Sequence, residues 1–157
     1  MNNKKIFINL KQKRMLISLG NDHAGVEVKK NIEKYLNEKG VKTINRGYDG
    51  EESVDYPDYI HKVAEDVDEK KAEAGIIVCG SGNGAAMTAN KHQGVRAAIC
   101  WNKETAALAK QHNNANIISI PSRFLEKEEI EEIIKSFLEA QFEGGRHERR
   151  VKKIPKQ

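Results

Sequence analysis

The stretch of this sequence richest in possible chemistry is Cys79-Gly80-Ser81-Gly82-Asn83-Gly84, set between an apolar run and a helical pattern. Three glycines let the backbone approach a ligand without Cβ clashes. The helix start that follows offers unpaired N–H groups and a positive dipole end. Amides arranged in this way receive an anion, either a phosphate or a developing oxyanion. The same positive end favours the thiolate form of Cys79, as base or nucleophile. A cysteine closing an apolar strand can also be a small buried packing residue; the adjacent glycines tip the reading toward function. Gly80, Gly82 and Ala85 match the dinucleotide pattern G-x-G-x-x-A as well. That pattern belongs to the first strand of a fold and needs an acid ending the next strand. Here the run is the third strand-like segment, and the next one ends in Cys100-Trp101.

Three other groups carry candidate chemistry. Asp22-His23 follows the first apolar run, where such a pair holds sugar hydroxyls or, equally, forms an Asx turn or helix cap followed by a surface histidine. His112-Asn113-Asn114 closes a helical stretch. An imidazole there is a general acid–base near neutral pH or, more commonly, a charge that compensates the helix end. Arg146 and Arg150 are four apart and share a face in a helical turn. Two guanidinium forks suit a phosphate, and Arg123 adds a third; otherwise the segment is a solvated basic tail. No histidine–cysteine–carboxylate set has zinc spacing, so neither a metal nor a cofactor is expected.

These residues need a scaffold that gathers them. Strand-like runs occur at MLISLG (15–20), VKTINRG (41–47), GIIVCG (75–80), VRAAIC (95–100) and NIISI (116–120). Helical patterns occupy 26–40, 58–70, 85–90, 101–113 and 124–140, with Gly40 as a stop signal. GIIVCG and VRAAIC read as buried parallel strands. The alternation predicts an open, five-stranded parallel α/β sheet with helices on both faces. In such sheets ligands lie beyond the carboxyl ends of the strands. That singles out Asn21-Asp22-His23, Arg46-Gly47, Cys79 to Gly84, Trp101-Asn102 and Pro121-Ser122-Arg123.

The 157 residues fit one compact domain. Residues 15–157 read as that domain with a basic tail, and residues 1–14 as a basic extension, possible disorder included, with Met15 a candidate start. The net charge of +4 is concentrated at the two ends. No aromatic side chains interleave the basic runs as nucleic-acid stacking would require, so no nucleic-acid partner is expected. No apolar run approaches the length of a membrane span, and two cysteines form no disulfide framework. A cytoplasmic protein is expected.

As an ordered set, GNDHAG (20–25), SVDYPDY (53–59), IIVCGSGNGAAMTANK (76–91), GVRAAIC (94–100), AKQHNNANII (109–118), SR (122–123) and FEGGRHERR (142–150) resemble the ribose-5-phosphate isomerase type B family. That family includes the galactose-6-phosphate isomerase subunits. The resemblance covers roughly residues 15–155. It implies a Rossmann-like three-layer fold, a homodimer or tetramer with shared active sites, and metal-free interconversion of ribose 5-phosphate and ribulose 5-phosphate in the pentose phosphate pathway. By position it makes Cys79 the proton acceptor and His112 the proton donor for ring opening, with the Ser81 hydroxyl, where many relatives have threonine, assisting. Asp22, His23, Gly80, Gly82, Asn83, Gly84, Asn113, Arg123, Arg146 and Arg150 match substrate-binding positions, and Tyr56 a tyrosine near the sugar. Members lacking the cysteine carry a glutamate just after the glycine loop; here that position is Ala85. Alternatives are a six-carbon substrate such as allose or galactose 6-phosphate, a Cys79–His112 hydrolase, and a non-catalytic nucleotide-binding module.

Overall fold

The computed structural model describes residues 14–156, so all but Arg14 of the N-terminal extension lies outside the described residues. The chain runs β1 (Leu16–Asn21), a 3-10 turn (His23–Gly25), α1 (Val26–Glu38), β2 (Lys42–Asn45), α2 (Pro57–Asp68), β3 (Ala74–Cys79), α3 (Asn83–Ala89), β4 (Ala97–Ile99), α4 (Lys103–Asn113), β5 (Ile117–Pro121), α5 (Lys127–Glu139) and α6 (Arg146–Val151). The five strands form one parallel sheet in the order β2-β1-β3-β5-β4.

The alternation of side chains along each strand divides the core into two layers. Ala74, Ile76 and Val78 of β3 face a cluster with Ile32 and Leu36 of α1, Ala106 and Ala109 of α4, and Ile130, Ile133, Ile134 and Phe137 of α5. Ile77 and Cys79 face the other cluster, with Ile60, Val63, Ala64 and Val67 of α2 and Ala85 and Ala89 of α3. Helices therefore cover both faces, as the strand–helix alternation predicts. Each buried Ile or Leu contributes roughly 1.5–3 kcal/mol by leaving water.

Local signals set the element ends. Gly40, with φ of +76°, closes α1 while Val41 N–H donates to the Leu36 carbonyl at 3.0 Å, a Schellman arrangement. Asn102 caps α4, its Oδ1 accepting from Thr105 N–H at 2.8 Å. Under the sheet, Asp66 accepts from Ser18 Oγ at 2.8 Å and from Arg46 Nε at 2.8 Å. Burial opposes ionisation of this carboxyl, yet the Arg46 and Ser18 bonds outweigh it and hold it below the ordinary carboxylate range.

Three readings change. The 95–100 run is not a buried strand: β4 spans three residues, each only partly buried, because it has a single neighbour at the sheet edge. α3 starts at Asn83 rather than Ala85, because left-handed Gly82 already turns the chain into the helix. The basic tail is not wholly solvated: residues 146–151 form α6, which packs on α4 and buries His147.

Candidate functional site

β1, β3 and β5 are adjacent and end level with one another, because Asn21 pairs with Val78 and Cys79 with Pro121. Their carboxyl ends form one rim, tied together by a hydroxyl. Ser122 Oγ donates toward the Cys79 carbonyl at 3.0 Å and the Ala24 carbonyl at 3.2 Å. Ser122 N–H reaches the same Cys79 carbonyl at 2.9 Å. The Cys79 carbonyl thus accepts two hydrogen bonds from Ser122, and the residue is 5% exposed at the strand end.

The loop beyond it is shaped by contacts that exclude larger residues. Gly82 has φ of +78°, a region that costs any other residue strain, and Ser119 Oγ donates to its carbonyl at 2.7 Å. At Gly84 a Cβ would lie 2.5 Å from the Tyr56 ring, so Tyr56 covers the start of α3. At Gly80 a Cβ would lie 3.1 Å from an Arg123 guanidinium nitrogen, which places that cation over the loop. Ser81 Oγ accepts from Asn83 N–H at 3.3 Å, leaving the hydroxyl proton to donate elsewhere. The result is a thiol, a run of loop amides, a hydroxyl and a guanidinium around one mouth, a set that suits a carbon acid with an anionic tail.

Asp22 realises the capping alternative: its Oδ1 accepts from Ala24 N–H at 2.9 Å, and the residue is buried. The capped turn holds His23 exposed, with Nδ1 3.1 Å from Val54 N. Beneath them Asn21 Nδ2 donates to the carbonyls of Asp22 and Tyr48, both at 2.8 Å. Asn21 Oδ1 is buried with no hydrogen-bond partner, and a Cβ on Gly47 would collide with it.

The remaining candidates lie elsewhere. α4 runs back from the carboxyl rim, and its last residues, His112 and Asn113, sit just before β5 opens at Ile117. Cys79, by contrast, pairs with the residue that closes β5. The length of β5, roughly 13 Å at about 3.3 Å per step, therefore separates the two ends within one chain. Arg146 and Arg150 are on α6, which packs on α4, and the segment beyond it returns to the amino end of β4, where Gln93 Nε2 donates to the Lys156 carbonyl at 2.8 Å. One chain brings together Asp22, His23, Tyr56, Cys79, Gly80, Ser81, Gly82, Asn83, Gly84 and Arg123. It brings His112 together with Arg146 and Arg150 as a second group, with Asn113 beside it.

Sequence reasoning assigned no role to Ser119, Glu143 or His147, and singled out Ser122 only by its place after a strand. A serine inside the apolar run NIISI was the available signal for Ser119. Glu143 and His147 join His112 only through packing: the His112 and His147 rings stack at 4.2 Å and 9°, and Glu143 Oε2 lies 3.7 Å and 3.6 Å from their Nε2 atoms. Burial, then the neighbouring His112 and Arg146, lower the pKa of His147 from its ordinary value.

This sheet, with a thiol and a glycine loop at its carboxyl rim, defines an α/β protein with a candidate site at its strand ends. The sequence profile of the Ribose/Galactose Isomerase family matches residues 17–154, and the chain belongs to that family. Among its relatives, the ribose-5-phosphate isomerase B of Escherichia coli K12 is 40% identical over 138 residues, 88% of this chain and 93% of that one. The solved ribose 5-phosphate isomerase of Thermotoga maritima superposes with a TM-score of 0.89 at 43% identity, covering 90% of this chain and 98% of its own. The Mycoplasma genitalium ribose-5-phosphate isomerase B, solved with ribulose-5-phosphate bound, gives 0.87 at 41% identity over 90% and 94% of the two chains. Among the described residues no helix is long and apolar enough to cross a membrane.

Proposed function

We propose that this chain interconverts ribose 5-phosphate and ribulose 5-phosphate, with Cys79 moving the proton. The observation that carries the reading is the thiol at the end of the central strand, directly beside loop amides, in a family whose relatives are named for that reaction. The Cys79 thiolate takes the C2 proton of the open-chain aldose. The Gly80–Gly84 amides and the Ser81 hydroxyl receive the charge that builds on the enediolate oxygen; the O2 proton passes to O1, and return of the carbon-bound proton from Cys79 to C1 gives the ketose. One such donor contributes about 3–4 kcal/mol, and a positioned base roughly 10²–10⁴-fold in rate. Asp22, His23 and Tyr56 line the sugar, with Asn83 at the start of α3.

His112 opens the ring, Asn113 assists it, and Arg146 and Arg150 grip the phosphate together with Arg123. Because the two groups sit at opposite ends of one chain's sheet, the proposal requires a second copy, which supplies its His112, Asn113, Arg146 and Arg150 to the first copy's Cys79. The working unit is therefore a homodimer, or a tetramer built from it, acting in the cytoplasm, where both thiols stay reduced. Residues 15–157 then act as one catalytic domain.

A coupled isomerase assay across five- and six-carbon aldose phosphates tests the substrate: ribose 5-phosphate should turn over fastest, and a six-carbon phosphate turning over faster would replace it. Mixing inactive Cys79→Ala with inactive His112→Ala chains tests the shared site. Random exchange restores about a quarter of full activity, because half the dimers are mixed and each has one intact site. No recovery would confine the site to one chain.

A further inference from the structure

We infer that Ser119 is a positioning residue for the proposed isomerisation: from inside the sheet its hydroxyl fixes the Gly82–Asn83 peptide and, through that peptide, aims the Ser81 hydroxyl at the mouth. The role rests on the reading of the site given above.

Ser119 is the middle residue of β5 and is fully buried. It pairs with Ile77 of β3 on one side and Ile99 of β4 on the other. Side chains alternate along a strand. Ile117, two residues earlier, belongs to the layer under α2 and α3, so Ser119 points into that layer, the one Cys79 also faces. A hydroxyl buried among apolar groups is unfavourable unless it is hydrogen-bonded. Here its proton goes to the Gly82 carbonyl, at 2.7 Å.

Gly82 is where the loop turns into α3. Its carbonyl also accepts the first bond of that helix, from Ala86 N–H at 3.1 Å. A glycine at φ of +78° leaves that conformation as readily as it enters it, so the helix bond alone holds the peptide loosely. The second bond, from the sheet, engages the other lone pair and keeps the oxygen on the buried side. In a trans peptide the following N–H points the opposite way. Asn83 N–H is therefore turned away from the layer, and Ser81 Oγ receives it at 3.3 Å. With one lone pair engaged there, Ser81 keeps its proton for an acceptor in the mouth. The donors run in one direction, from Ser119 to the Gly82 carbonyl, from Asn83 N–H to Ser81, and from Ser81 outward, and each bond polarises the next. Replacing Ser119 by alanine removes a donor and orphans no group, because the Gly82 carbonyl keeps Ala86 N–H. The fold should therefore stand while the loop loosens.

The test uses the full-length chain. Ser119→Ala should lower kcat on ribose 5-phosphate about tenfold, a part of the roughly 10²–10³-fold that follows outright loss of such a donor. KM should stay within about twofold, and the unfolding midpoint should change little. Two inhibitors separate aim from loss of folded protein. A phosphorylated four-carbon hydroxamate mimics the enediolate; inorganic phosphate engages the guanidinium groups alone. The inhibition constant of the hydroxamate should rise about tenfold, in step with kcat, and that of phosphate should not move. An unchanged hydroxamate constant overturns the role whatever the rate, and so does an equal rise in both constants. In a Ser81→Ala chain, Ser119→Ala should change the hydroxamate constant by no more than about twofold, because the end of the chain of donors is already gone. A further tenfold loss there means that Ser119 does not act through Ser81, and overturns the proposal. A parent chain inactive on every sugar phosphate sinks the isomerase reading and this role with it. An active parent matched by Ser119→Ala sinks this role alone.

Discussion

The carboxyl ends of β3 and β4 each carry a cysteine, and the sheet gives the two thiols different surroundings. Cys100 lies just past β4, is fully buried, and packs with the α1, α4 and α5 layer. Its sulfur donates to the Ala98 carbonyl, at 3.6 Å, and burial pushes its thiol up to about 12. It stays protonated at any physiological pH and works as a packing group. Cys79 faces the opposite layer, with α2 and α3, and is followed by a glycine loop instead of by Trp101 and the Asn102 cap. Both cysteines follow apolar strands. The chain after the cysteine, and the neighbours that chain can admit, separate a candidate base from an inert thiol.

The sharpest way to break this contrast is to remove each sulfur. Cys79→Ala should lower kcat by at least about 10²–10⁴-fold with an unchanged circular dichroism spectrum, whereas Cys100→Ala should stay within a few-fold of the parent. Comparable losses in both would end the distinction. Gly82→Ala should come next: the φ of +78° costs about 1–2 kcal/mol for an alanine, read as a lower denaturation midpoint. Turnover should fall further than stability, as the loop amides shift.

Serine in place of sulfur separates the two sites by stability. Cys100→Ser buries a hydroxyl in an apolar layer and should cost about 1–3 kcal/mol, measured by urea unfolding. Cys79→Ser, at a strand end where the residue is 5% exposed rather than fully buried, should cost less. The smallest expected effect is in alkaline solution. The folded thiol of Cys100 is raised from 9.0 to about 12, so the unfolded chain loses this proton first. The stability this group contributes is fully present below about pH 9 and is lost as pH climbs toward 12. Cys100→Ala should therefore show a shallower alkaline fall in Tm than the parent; identical slopes would show that the thiol is not so shielded.

Much of this was legible beforehand. Apolar runs of strand length, alternating with helical periodicity, imply a parallel sheet, and the strand-end rule points to Asp22, Cys79 and Arg123. β4 misled because VRAAIC has the composition of a central strand, while its exposure depends on its having one neighbour, which composition does not encode. The tail misled in the other direction. Its charges read as solvated, but His147 needed only one flat partner, and α4 supplied His112.

The sequence by itself determined the alternation of elements, the glycine loop after Cys79 and the family, because these depend on residue type at short spacing. Only the tertiary structure decided which residues share a rim. Strand order and helix direction set Cys79 and His112 at opposite ends of the sheet, and brought His112, Glu143 and His147 together across 35 residues of chain. Such contacts come from how far each strand and helix carries the chain through space, a sum over many residues that no local pattern records.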